Sequence, residues 1–235
     1  MSGSATANDG GGLYNFTLGN ITGANSTSVL DIGWGGNTHD FSVTINSVNI
    51  TDPSGRMQVD NGWDDTEAIT ATVTNGVTVN ELDIRHYSKL AAADVALTIN
   101  GALSATTTVI AAEGYYVGSG NATLTLKGST IGLGTCTFNN GTSDLGTTTL
   151  TLSGSGDQTV TGTINGKNAN DGILNINGAG NTTISNAVGT TSLKEINISA
   201  ATGKTAEFDS TAGATTITMS GAGKAQFDGA VNATN

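Results

Sequence analysis

The 235-residue chain has a single cysteine, a single proline and charge on only 11% of its residues. Cys136 alone cannot form a disulfide framework, and one thiol argues equally against a thiolate metal centre. Lys and Arg number 8 against 19 acids, for a net charge of −11, and no basic cluster interrupts the sequence. That excludes a nucleic-acid backbone and an anionic lipid surface as partners. No apolar run approaches the ~18 residues that a membrane-spanning helix needs, so no membrane insertion is expected. The opening Met1-Ser2-Gly3-Ser4 lacks the basic and apolar segments of a signal peptide. The expectation is a mature or excised fragment with a new start residue, in preference to an intracellular chain.

Thr, Gly and Asn are abundant: 40, 34 and 24 residues, about 42% of the chain. Thr favours strands, while Gly and Asn favour turns and left-handed backbone, so a helical bundle is excluded. Disorder is countered by regular apolar anchors. The anchors define a loose repeat, a short alternating strand followed by a turn. It reads Val95-Ala-Leu-Thr-Ile-Asn-Gly101, Ala122-Thr-Leu-Thr-Leu-Lys-Gly128, Thr148-Thr-Leu-Thr-Leu-Ser-Gly154 and Gly172-Ile-Leu-Asn-Ile-Asn-Gly178. Lys194-Glu-Ile-Asn-Ile-Ser-Ala200 and Thr215-Thr-Ile-Thr-Met-Ser-Gly221 continue it. The anchors Leu97, Leu124, Leu150, Leu174, Ile196 and Ile217 are separated by 27, 26, 24, 22 and 21 residues. Further short strands, such as Gln158–Ile164 and Thr182–Ile184, lie between them.

A period of 20 to 30 residues that holds two or three strands predicts an all-β, right-handed parallel β-solenoid. One rung cannot bury its own inward face. Stacking rungs at ~4.8 Å places Leu on Leu and Ile on Ile in a continuous core. Leu124, Leu126, Leu150, Leu152, Leu174 and Ile176 are expected inward, as are Ile196, Ile198, Ile217 and Met219. The drift of the period leaves a β-sandwich as the alternative. The two halves differ in character. Residues 1–120 hold eight of eleven aromatics and 12 acids against 3 bases, while residues 121–235 hold 7 acids against 5 bases. The expected organisation is an irregular, acidic region at 1–120, serving as a cap or assembly region, and a regular strand-repeat solenoid at 121–235.

The segments Gly172-Ile-Leu-Asn-Ile-Asn-Gly-Ala-Gly-Asn-Thr-Thr-Ile184 and Ala214-Thr-Thr-Ile-Thr-Met-Ser-Gly-Ala-Gly-Lys-Ala-Gln-Phe-Asp-Gly-Ala-Val-Asn-Ala233 carry a resemblance to a known group. Roughly residues 120–235 resemble the β-strand-repeat proteins of bacterial surfaces, meaning surface-layer proteins and the passengers of autotransporter adhesins. The resemblance implies an extracellular address and a structural or adhesive role. It supplies no catalytic residues.

Candidate chemistry is sparse. Asp60, Asp64, Asp65 and Glu67 gather four carboxylates within eight residues, enough oxygens to interest calcium. Their spacing fits neither the EF-hand loop nor the nonapeptide of calcium-binding β-rolls, and a solvated acidic turn competes with the metal reading. No cofactor other than calcium is expected. His86, Arg85, Asp64 and Asp65 are residue types used by polysaccharide-cleaving β-helices, but adjacent strand residues face opposite ways. Cys136 shares a strand face with Phe138 and reads as a small core residue. Trp34 and Trp63 read as core plugs more readily than as sugar platforms. The nine Asn-x-Ser/Thr sequons follow from composition.

The expected function is an extracellular structural subunit that self-associates into a surface layer or filament, with no catalysis. Solenoid ends expose strand edges that pair with neighbours unless capped. The assembly residues expected are Leu13, Tyr14, Phe16 and Leu18 at one end and Phe227 and Val231 at the other, giving a head-to-tail homo-oligomer. Two alternatives stand beside it. One is a glycan-binding or polysaccharide-degrading module of the adhesin or phage tail-spike type, with surface glycans as partners. The other is ice binding through Thr-x-Thr pairs at Thr70/Thr72, Thr123/Thr125, Thr149/Thr151, Thr159/Thr161 and Thr216/Thr218. Uneven intervals, and intervening strands without the motif, count against the second.

Overall fold

In a computed structural model the described residues are 14–23, 28–33, 40–61, 68–87, 93–112, 120–140 and 146–234. They form nineteen strands and no helix. The first six are β1 (Tyr14–Gly23), β2 (Val29–Gly33), β3 (Phe41–Ile50), β4 (Arg56–Asn61), β5 (Ile69–Val73) and β6 (Val77–His86). Next come β7 (Val95–Ile99), β8 (Leu103–Ala112), β9 (Ala122–Leu126), β10 (Thr130–Asn139), β11 (Thr148–Leu152) and β12 (Gln158–Gly166). The chain continues through β13 (Ile173–Ile176), β14 (Thr182–Ile184), β15 (Val188–Ile198), β16 (Thr205–Phe208), β17 (Ala212–Met219), β18 (Lys224–Phe227) and β19 (Val231–Ala233).

Every strand pairing is parallel. Parallel neighbours require the chain to complete a circuit between them, which a hairpin-built sandwich does not do. The chain is therefore a β-solenoid. Its strands fall into three ladders. Face A stacks the first half of β1 on the first half of β3, then β5, β7, β9, β11, β13 and the ends of β15 and β17. Face B stacks the second halves of β1 and β3, the first parts of β6, β8, β10 and β12, and then β14, β16 and β18. Face C begins with β2, β4 and the second half of β6. The circuit shortens along the molecule, from 28 residues between Phe41 and Ile69 to 21 between Glu195 and Thr216. The ladders pass the compositional boundary near residue 120 in register, with Leu97 opposite Leu124.

Alternation puts one side of each strand inside. One interior row of face A runs Leu97, Leu124, Leu150, Leu174, Ile196, Ile217, and its neighbour runs from Leu18 through Ile99, Leu126, Leu152, Ile176 and Ile198 to Met219. The members at 97–198 are buried, each contributing roughly 1.5–3 kcal/mol of apolar transfer. Ile217 is only partly buried, and Met219 is 41% exposed despite its interior position, because β19 covers only Ala212–Ala214 of β17 and no described strand covers its face A end. The aromatic Phe138 lies opposite Gly166 in the next coil, and its ring fills the space where a side chain at Gly172 (φ +84°) would sit.

The abundance of Asn, Asp and Thr is explained at the corners. After face A the ladder continues one residue past each strand. Asn100 N–H donates to Val73 O at 2.9 Å, and Ser153 N–H donates to Leu126 O at 3.0 Å. Before face A, side chains cap the next coil. Asp40 Oδ1 accepts the Ala68 N–H (3.0 Å), Asp94 Oδ1 the Asn121 N–H (2.9 Å) and Asn121 Oδ1 the Thr147 N–H (3.1 Å). Short polar side chains thus satisfy backbone donors at turns.

Candidate functional site

Of the expected calcium ligands, Asp64, Asp65 and Glu67 lie outside the described residues, and Asp60 is on β4. Met57 and Val59 point inward, so Asp60 shares the other side of the strand with Gln58. It is not a solvated turn residue: only 2% of it is exposed. Gln58 Nε2 donates to Asp60 Oδ2, and Oδ1 is buried without a partner. Burial, reinforced by the negative charge of Asp31, pushes the Asp60 carboxyl up to about 7. Burial also raises Asp83, one coil on, against the opposing hydrogen bond from Arg85 Nε at 2.6 Å. Among the described residues the carboxylates that converge within 4.8 Å are instead Glu207, Asp209 and Asp228. There Gln226 Nε2 donates to Glu207 Oε1 and Asp228 Oδ1 at 3.0 Å each, so an amide already bridges two of the acids. Beside them a shallow groove of about 410 Å³ on face B is lined by Asp157, Asn181, Thr205 and Glu207.

Of the residues weighed for hydrolysis, Asp64 and Asp65 lie outside the described residues, and the other two do not converge. Arg85 sits on the outward side of β6 and pairs with Asp83, whereas His86 is fully buried on the opposite side. Burial lowers the His86 pKa, favouring the neutral imidazole, and the backbone at Gly120 lies so close that an added Cβ would meet Nε2. His39, Trp34 and Trp63 lie outside the described residues. Cys136 is completely buried on β10, and burial pushes its thiol up to about 12. The native protein should therefore resist a thiol reagent at pH 8 and react stoichiometrically once unfolded, because the thiolate is the reactive form. An absorbance assay with and without denaturant checks this.

The assembly residues sit where a coil ends. Tyr14 opens β1, and Leu13 lies outside the described residues. Phe16 points inward and packs on Phe41 with ring centroids 5.2 Å apart. Phe227 stacks on Phe208 at 5.0 Å. Leu18 is 38% exposed and Val231 48%. Two further exposed positions escaped the sequence reading: Val29, 50% exposed on the outward side of β2, and Met219, at the end of an interior row. Met219, like Ile217, is signalled in the sequence as a member of the last copy of the repeat among those recognised.

The largest difference from expectation is on the outward side of face A. Many strands that lack Thr-x-Thr belong to other faces, and the face A strands β1, β3 and β7, which also lack the pair, still place one Thr in register. In register, Thr17, Thr44, Thr72, Thr98, Thr125 and Thr151 form one unbroken row, continued by Asn175, Asn197 and Thr218. A parallel row runs Asn15, Ser42, Thr70, Ala96, Thr123, Thr149. All of these side chains are at least partly exposed. The pair at Thr159/Thr161 belongs to face B and stands apart. Neither row carries a charge before Glu195, opposite Ile173.

No protein-family model, curated protein sequence or solved structure matches this chain. Fold and surface together define a parallel β-solenoid with one ordered hydroxyl face and two apolar ends.

Proposed function

We propose that the protein is an extracellular structural subunit that associates head to tail into a surface layer or filament, without catalysis. One observation carries the reading. Four large hydrophobic residues among those described are exposed, all on the terminal coils: Leu18, Met219 and Val231 occupy interior rows left uncovered there, and Val29 faces outward beside Arg56. Leu18 and Met219 are also the first and last members of a single interior row, and Val29 and Val231 lie on the opposite end strands of face C. A second copy stacked on the first extends that row and pairs the open strand edges, which is β-augmentation. Such a contact is heterologous and propagates. The resemblance of residues 120–235 to bacterial surface repeats points the same way.

Electron microscopy of the purified chain tests the proposal. The expected result is regular fibres or sheets that disappear in a Leu18→Lys, Met219→Lys variant whose circular dichroism is unchanged. A wild-type protein that stays monomeric at high concentration overturns it, and the apolar ends then mark where coils of a longer polypeptide adjoin.

A further inference from the structure

The geometry points to face A as an ice-binding surface, a function independent of the end contacts. The face has nothing with which to hold most partners. Its outward rows carry no charge from β1 to β13, in a chain of net charge −11, so it cannot hold phosphate or an ionic polymer. Its rows contain no aromatic ring, because Phe16 and Phe41 are packed inward against the core, so sugars have no stacking platform. It does have hydroxyl and methyl groups on a two-dimensional net. The repeat is about 4.8 Å along the stack and about 6.6 Å along the strand, two residues apart.

Three properties make that net rigid. The six stacked threonines from Thr17 to Thr151 run through five consecutive pairings, with no register shift along the row. In-register ladders of like side chains are the condition under which a sheet resists its usual twist. β-Branched side chains are stiff at χ1, so each hydroxyl and methyl has a fixed place. Liquid water offers no partner for such an array because its oxygens do not repeat. A crystal face of ice presents water oxygens on a fixed net of similar dimensions. Hydroxyls join that net by hydrogen bonds while the methyls between them cover apolar surface. Many weak contacts made at once on a rigid template give adhesion without any strong single one.

The test is partition into ice grown slowly from a dilute solution of the amine-labelled full chain, with thermal hysteresis as a second readout. The expected result is enrichment of wild type in the ice. It should fall to the level of a non-binding control protein for Thr98→Tyr, Thr125→Tyr, and be retained for Thr78→Tyr, Thr159→Tyr on face B. Circular dichroism of each variant confirms folding, and Thr125→Lys disrupts the same face by charge instead of bulk. Folded wild type that partitions no better than the control overturns the proposal. So does equal uptake by the face A variants, and so does adsorption to crystalline cellulose without ice uptake. Running the assay on the Leu18→Lys, Met219→Lys variant separates ice binding from assembly.

Discussion

Truncating Phe138 to alanine should destabilise the protein by roughly 3–5 kcal/mol, read as a lowered midpoint of urea unfolding. The ring is fully buried and occupies volume that Gly172 beside it leaves open. A side chain at Gly172 would meet the ring directly, with its Cβ only 2.2 Å from Cγ. Gly172→Ala is therefore expected to cost several kcal/mol in the wild type, from the clash and from a φ of +84° that L residues rarely adopt. In the Phe138→Ala background the contacts with the ring are gone, while the close approach to the Cβ of residue 138 and the backbone strain remain. The two substitutions should thus be strongly non-additive, with a coupling energy of about 1–3 kcal/mol. Additive costs would show that ring and glycine do not share the space.

The second large effect is electrostatic and depends on pH. Asp60 has its carboxyl pushed up to about 7 in the fold, from an ordinary value of 3.8. Below pH 3.8 the group is protonated in both states and takes nothing from stability. Between there and pH 7 the unfolded chain releases the proton while the native one holds it, so stability falls as pH rises. Integrated over that window, the loss is on the order of 4 kcal/mol. Asp60→Asn keeps the shape and removes the titration. The variant should melt close to wild type at pH 4 and clearly above it at pH 8, in parallel thermal scans. The repulsion of a net −11 chain adds a similar slope to both proteins and cancels in the comparison. A wild type and variant that differ equally at both pH values would refute the assignment.

How far the sequence was legible depends on which neighbour a residue answers to. The alternating Leu124/Leu126 and Leu150/Leu152 pairs encode the core directly, since period 2 within a strand and a period near 25 between strands favour stacked coils over a sandwich. Both are buried as expected. The continuity of the single Thr row was hidden in the sequence for a geometric reason. In a solenoid the neighbour across the ladder lies a full circuit away, so Thr98 meets Thr125 and not the strand that follows it in the chain. Counting consecutive strands dilutes a row that is continuous in space. Asp60 failed for a different reason. The alternation of Met57 and Val59 shows which way it points, but burial of the outward side of β4 is a tertiary fact. No local pattern announces it.

The direction of the ladders also governs how the molecule bears load. Every inter-coil hydrogen bond lies along the stacking axis, so tension applied along that axis meets the coils in series. Every coil then carries the same force, and the outermost one, covered on one side only, detaches first while the rest stay folded. A detached circuit of 21 to 28 residues was about 4.8 Å of rod and becomes, at about 3.4 Å per residue, some 70–95 Å of extended chain. Each lost coil thus gains more than tenfold in its own length, and the rod extends without severing. Because the circuits shorten from one end to the other, the slack released per step depends on the end from which the chain is pulled. A coil of strands is in this sense a spool, and its taper sets the order in which line is paid out.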